Sequence, residues 1–154
     1  MAQDIKLVKN EDGIYDIPLN ASGDDIDTVD GLETCIIVSL FTDARAGSGN
    51  VPNVLRRRGW CGNILTISEN YELGSLLWLL EQARLNQLTL NMAEDKSRKA
   101  LEHLITDGIA DTITTSAEKV DEKSAKLTII LFKQSNEIAR FATLWVSTKS
   151  MRLQ

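Results

Sequence analysis

The stretch "DTITTSAEKVDEKSAKLTIILFKQSNEIARFATLWVS", residues 111–147, decides the fold. It contains three runs rich in β-branched and aromatic residues, DTITTSAEKV (111–120), AKLTIILF (125–132) and IARFATLWVS (138–147), separated by polar turns. That pattern predicts a C-terminal antiparallel three-stranded meander. Ahead of it, NMAEDKSRKALEHLITDG (91–108) has helical spacing, with Ala93, Ala100, Leu101, Leu104 and Ile105 on one face and His103 on the opposite, lysine-bearing face. Asn91 and Glu94 form a capping pair, and Gly108 is the expected stop.

Working outward, YELGSLLWLLEQARL (71–85) reads as another helix. At about 100° per residue, Leu73, Leu76, Leu77 and Leu80 share a stripe, while Trp78 and Leu85 lie nearly opposite, so the helix needs apolar cover on two faces. LETCIIVSLF (32–41) reads as a buried helix beginning near Asp30, with Asp30 and Glu33 in a capping-box pattern. At the N-terminus, DIKLVKNEDGIYDIPL (4–19) alternates as a hairpin around the turn NEDG, with Pro18 placing the second strand at an edge. NASGDDIDTVDG (20–31) reads as an acidic, turn-rich linker. The fold class expected is therefore α+β: an N-terminal β-hairpin, central helices and a C-terminal antiparallel three-stranded meander. Residues 1–154 are expected to form a single domain with a long loop at about 43–70, since 154 residues suffice for one core.

Hydrophobic residues at 43% and charged residues at 25% exclude a disordered chain. No apolar run approaches the roughly 18 residues of a membrane span, and MAQDIKLVKNEDG lacks the apolar core of a signal peptide, so no membrane role and synthesis in the cytoplasm are expected. The net charge of -5 is unevenly divided. Residues 1–44 carry two lysines against ten carboxylates, a net of minus 8, and the remainder carries 15 basic and 12 acidic residues, a net of plus 3. An acidic arm on a mildly basic body suits docking between protein surfaces and argues against nucleic acid.

Sites of chemistry are poorly supported. The acids of DDIDTVDG are not at alternate positions, and the twelfth residue counted from Asp25 is Ile36 where a calcium loop needs Glu. Cys35 and Cys61 form no CxxC, and the lone His103 has neither a metal-ligand neighbour nor a nucleophile nearby in sequence. GSGNVPN (47–53) lacks the GK[ST] of a phosphate loop. No metal and no cofactor is expected. Glu33 and Asp43, at the two ends of the apolar run, are the remaining candidates for a glycosidase acid and base. The more informative cluster is RRRGWCGN (56–63), in a region of four glycines and one proline. Arg45, Arg56, Arg57 and Arg58 keep their charge and can grip carboxylates in pairs, and Trp60 offers a broad apolar face. A lone aromatic in an acidic chain is a poor platform for single-stranded nucleic acid.

GLETCIIVSLFTDARA (31–46), RRGWCGN (57–63) and LGSLLWLL (73–80), followed by a helix ending LITDGIA, together resemble the Mu-type phage baseplate wedge family. The family is similar to sheath-initiator wedge subunits of other contractile tails and of type VI secretion baseplates. The likeness covers roughly residues 4–115, and Cys61 stands where the family often has a second tryptophan. The resemblance implies a structural subunit of a contractile tail, present in multiple copies in the virion baseplate. Its implied partners are other wedge subunits and the sheath protein, with tube or hub proteins as further neighbours. It also implies that the sheet is the platform for the first sheath ring, with IARFATLWVS as an acceptor of an added strand. Arg45 aligns with the arginine of the broader family's helix-end motif, Arg58, Gly59, Trp60 and Gly62 with its RGW block, and Gly74, Ser75, Leu77 and Trp78 with its GSxLW block. Partner binding is expected at Arg45, Arg56, Arg57, Arg58, Trp60 and Trp78, with no catalytic residue. Relatives long labelled lysozyme-like make a tail-associated peptidoglycan hydrolase the alternative, and a tailocin or secretion component would share the fold.

Overall fold

The computed structural model describes residues 3–12, 14–30, 32–65, 72–122 and 124–146. The chain divides into two compact units, residues 1–37 and 38–154. In the first, strand β1 (Gln3–Ile5) pairs antiparallel with β4 (Thr28–Asp30), and β2 (Val8–Lys9) pairs with β3 (Tyr15–Asp16). The expected N-terminal hairpin is therefore not seen as such. Val8–Lys9 pair with Tyr15–Asp16, Gly13 of the expected NEDG turn lies outside the described residues, and Gln3–Ile5 pair instead with the end of the stretch read as a linker. The reason is a set of contacts between residues more than 20 positions apart. The Lys6 amide donates to the Asp27 carbonyl at 3.0 Å, and its ammonium pairs with the Asp27 carboxylate at 2.8 Å. The Asn20 side chain accepts from the Gly23 amide at 2.9 Å and closes a turn just ahead of Asp24 and Asp25. The Thr34 hydroxyl donates to the Ile5 carbonyl. Burial, and then the nearby Glu33 carboxylate, raise the Tyr15 phenol above its ordinary pKa and keep it neutral.

Helix α1 (Glu33–Phe41) forms where the sequence places a buried helix, and Ile36, Ile37, Ser39 and Leu40 are buried. In the second unit, the described part of the expected helix, residues 72–85, does not form one; residue 71 lies outside the described residues. Gly74 has φ +121, Ser75 bridges to Asp43 as an extended residue, and only Leu77–Leu80 wind, as a 3₁₀ turn. The leucine periodicity is real, but the positive φ of Gly74 and the extended pairing of Ser75 override it. Helix α2 then runs Gln87–Ala100, one turn earlier than Asn91 suggests, because Asn86 is the residue whose side chain accepts from the Thr89 amide, at 2.9 Å. Arg98 and Lys99 in the last turn suit the helix dipole, and both pair with Asp95, at 2.7 and 3.0 Å. A break at Leu101 separates it from the short helix α3 (His103–Thr106). Ala93, Leu101 and Leu104 are buried as the periodicity predicts, whereas Ile105 turns outward after the break. Gly108, at φ +69, lies just beyond the end of α3 as expected.

The three C-terminal strands form as read: β5 (Thr112–Lys119), β6 (Ser124–Lys133) and β7 (Asn136–Val146), antiparallel in the order β5-β6-β7. The β6–β7 turn uses Gln134 and Ser135, both at positive φ, the twist a two-residue hairpin requires. One face is apolar. Ile113 and Ala117 of β5, Leu127, Ile129 and Leu131 of β6, and Phe141 of β7 are buried, and the register puts Leu131, Ile129 and Leu127 opposite Ile113, Thr115 and Ala117. Helix α2 packs along β5 and buries Thr89, Leu90, Ala93 and Ser97. Each fully buried Leu or Ile contributes roughly 1.5–3 kcal/mol. Ile129→Ala should therefore lower stability by about 2–5 kcal/mol, read by urea denaturation, whereas Thr114→Ala on the exposed face should change it by less than about 0.5 kcal/mol.

Candidate functional site: a clasp around residues 42–46

The arginine cluster lies on a loop that closes on its own main chain. Its centre is the extended segment 42–46, bonded from two directions. From one side, Ala46 donates its amide to the Arg57 carbonyl at 2.9 Å, and the Trp60 amide donates to the Asp43 carbonyl at 3.0 Å. From the other, the Ser75 amide donates to the Thr42 carbonyl at 2.8 Å, and the Ala44 amide to the Ser75 carbonyl at 2.9 Å. The Arg45 amide donates to the Glu72 carboxylate at 3.1 Å, and the Trp78 indole N–H to the Ala44 carbonyl at 2.9 Å. The buried Ser75 hydroxyl donates to the Leu40 carbonyl at 2.5 Å.

Two glycines permit this approach. A Cβ on Gly59 would stand 2.9 Å from the Arg45 Cβ, and one on Gly74 would stand 2.8 Å from both the Ala44 nitrogen and the Thr42 oxygen. Their φ values, +114 and +121, also disfavour any side chain. Gly62 serves differently, because the Trp60 ring occupies the space its side chain would fill, within 2.2–2.5 Å of the Cβ position. Asn63 then ties the two loops together, donating to the Leu73 carbonyl and accepting from the Leu73 amide, each at 2.9 Å.

The arginines named from sequence have distinct environments. Arg58, at φ +46, lies over the Trp78 ring at 4.8 Å from its centroid. Its guanidinium holds both Glu81 oxygens at 3.1 Å and Asp43 at 3.2 Å. Bonding to Glu81 raises its pKa further above the ordinary value, Asp43 adds to the effect, and partial burial works against it. Arg45 donates to the Arg58 carbonyl at 3.2 Å. Arg57 donates to the carbonyls of Val51 at 2.8 Å and Pro52 at 3.1 Å. Arg56 ends an exposed 3₁₀ turn, Val54–Arg56, and has no ion pair with another described residue. Trp60 remains 46% exposed, and Trp78 is half-buried. Leu55, next to Arg56, and Ile64 and Leu65, four and five positions after Trp60, are exposed by 90%, 70% and 84%. Sequence reading gave no role to Asp43 or Glu81 as partners of Arg58, or to Asn63 as a clamp. The available signal was the three-residue spacing from Trp78 to Glu81, which one helical turn brings onto one side.

These features define a small α+β protein organised around a glycine-permitted clasp, with an exposed apolar and basic loop beside it. The chain belongs to the phage protein GP46 family, whose model matches residues 32–138. It is 37% identical over 102 residues to the baseplate protein gp46 of Escherichia phage Mu, covering 65% of this chain and 68% of that protein. It is 30% identical over 118 residues to the Mu-like prophage FluMu protein gp46 of Haemophilus influenzae, covering 75% of this chain and 80% of that protein. No solved structure matches the chain.

The clasp geometry sets two expectations. Gly74→Ala should destabilise the protein by more than about 2 kcal/mol, from backbone strain and two main-chain clashes. Arg58→Ala should lose about 1–2 kcal/mol, or roughly 3–6 °C in Tm, and Arg56→Ala essentially nothing, by thermal unfolding.

Proposed function

We propose that this chain is a structural subunit of a contractile phage tail baseplate, where it joins wedge subunits and serves as the platform on which sheath assembly begins. The observation that carries the reading is the similarity, over 65% of this chain, to the Mu protein named a baseplate protein. Two features of the surface support it. The clasp holds the loop through Arg57, Arg58 and Asn63, and Leu55, Arg56, Ile64 and Leu65 are each exposed on it, side chains suited to an acidic, partly apolar neighbour. Strand β7, 11 residues long, lies at the edge of its sheet with Ile138 and Leu144 exposed, an arrangement that favours addition of a strand by main-chain hydrogen bonding.

Of the six partner-binding candidates, Arg56 and Trp60 are assigned to contact with a wedge neighbour. Arg45, Arg57, Arg58 and Trp78 act from within, shaping the surface those two present. The hydrolase alternative gains nothing from Asp43: its carboxylate binds Arg58 and its carbonyl accepts from Trp60, which is a structural assignment. The role is non-enzymatic on this reading.

Affinity purification of the tagged protein from lysing cells should bring down baseplate and sheath subunits. Arg56→Glu combined with Leu55→Asp should abolish the wedge subunits in that eluate while changing stability by less than about 0.5 kcal/mol per site. Recovery of the same partners from the double variant would remove the loop from the interface, and a clearing zone from the purified protein on a peptidoglycan gel would restore the hydrolase.

A further inference from the structure

A three-stranded sheet has two edges, and strand addition at the wrong one would misdirect assembly. The two edges here differ. Along β5, the Glu94 carboxylate of helix α2 accepts from the Ala117 amide at 2.8 Å. That amide consequently points away from β6, outward, where an incoming strand would need it. The backbone carbonyl of Glu94 also accepts from the Thr115 hydroxyl at 3.1 Å, which fixes the helix against the strand two residues away. Glu94 also lines a cleft of about 290 Å³ beside the strand, with Ile113, Thr114 and Thr115 on the strand side and Asn91, Asp95 and Arg98 beside it on the helix side. Asp95 is ion-paired there with Arg98 and Lys99. A strand laid into that cleft would dehydrate this pair without replacing its partners. No side chain of another described element donates to or accepts from the main chain of β7 beyond β6, so the opposite edge has no equivalent cover among the described residues.

We infer that Glu94 is a specificity residue of this sheet: by binding the outward amide of Ala117 it closes the β5 edge and restricts strand addition from another chain to β7. The inference rests on the platform reading given above for its biological sense, but the closure itself belongs to the isolated protein and is testable there. Natural sheets commonly protect an edge with a charge or a covering element, and one carboxylate here combines the two on one amide.

The test is amide hydrogen exchange by NMR on the free full-length chain, together with sedimentation over a concentration series. In the wild type, the Ala117 amide should exchange well below the rate of an unstructured peptide. In Glu94→Ala it should exchange at least about tenfold faster, and the variant should sediment as a heavier species with rising concentration, with new protection appearing in residues 112–119. Glu94→Gln retains an acceptor oxygen and should behave as the wild type on both measures. The inference is overturned if Ala117 already exchanges freely in the wild type, if Glu94→Ala leaves its rate unchanged, or if the amide is freed and the variant associates no more than the wild type. Failure of the platform reading has a separate signature: β7 amides that remain unprotected in assembled tails while β5 behaves as described.

Discussion

The second unit depends on the burial of one extended segment's main chain between two loops that only glycine can bring close enough. Residues 42–46 have amides or carbonyls taken by partners from 57–60 and from 72–78, and Gly59 and Gly74 set the distance of each flank. A buried backbone polar group left unpaired costs about as much as a lost hydrogen bond, so an irregular loop can be ordered in a compact protein only when nearly every such group is met. The clasp meets them with other loop residues in place of regular secondary structure. The arginine run follows from this constraint. Arg57 and Arg58 supply donors to loop carbonyls and loop carboxylates, and Trp78 supplies both a ring beneath Arg58 and an indole donor to Ala44.

Once the loop is held from within, its surface has a definite chemistry. Leu55, Ile64 and Leu65 are displayed on short 3₁₀ turns whose backbones are capped: Asn53 accepts from the Leu55 amide, and the Leu65 amide donates to the Gly62 carbonyl. Apolar side chains at such exposure on an ordered scaffold favour association, because the conformational entropy of the loop is already largely lost before a partner arrives. The sheet contributes a second, directional surface. Its buried face is covered by α2, one edge is occupied by Glu94, and β7 remains. The chain belongs to the phage protein GP46 family, and its relative from Escherichia phage Mu is named a baseplate protein; on the proposed reading, these two surfaces meet neighbouring subunits of such a baseplate.

Much of the fold was legible in the sequence where a period of 2 coincided with β-branched residues, as in 111–147, and where a long amphipathic stretch ended in glycine, as before Gly108. The helix expected at 71–85 failed because spacing of Leu73, Leu76, Leu77 and Leu80 reports only which residues want cover, and cannot register that Ser75 is bonded to Thr42 and Ala44, with Gly74 packed against them, some 30 positions earlier. The N-terminal hairpin failed for a related reason: Thr28–Asp30 compete for β1, and Lys6 with Asp27 decides the competition. At the site, residue types were readable and roles were not. Three adjacent arginines look equivalent in sequence, yet Arg58 is a strut, Arg57 a loop staple and Arg56 a surface charge, and only the positive φ of Arg58 and the position of Glu81 separate them.

Electron microscopy of particles from cells in which only this chain is deleted tests the central proposal most directly. The account predicts tubes or baseplate fragments without a sheath, because the subunit that joins wedges and starts the first ring is missing. Full-length contractile tails with an ordered sheath, assembled in its absence, would contradict it.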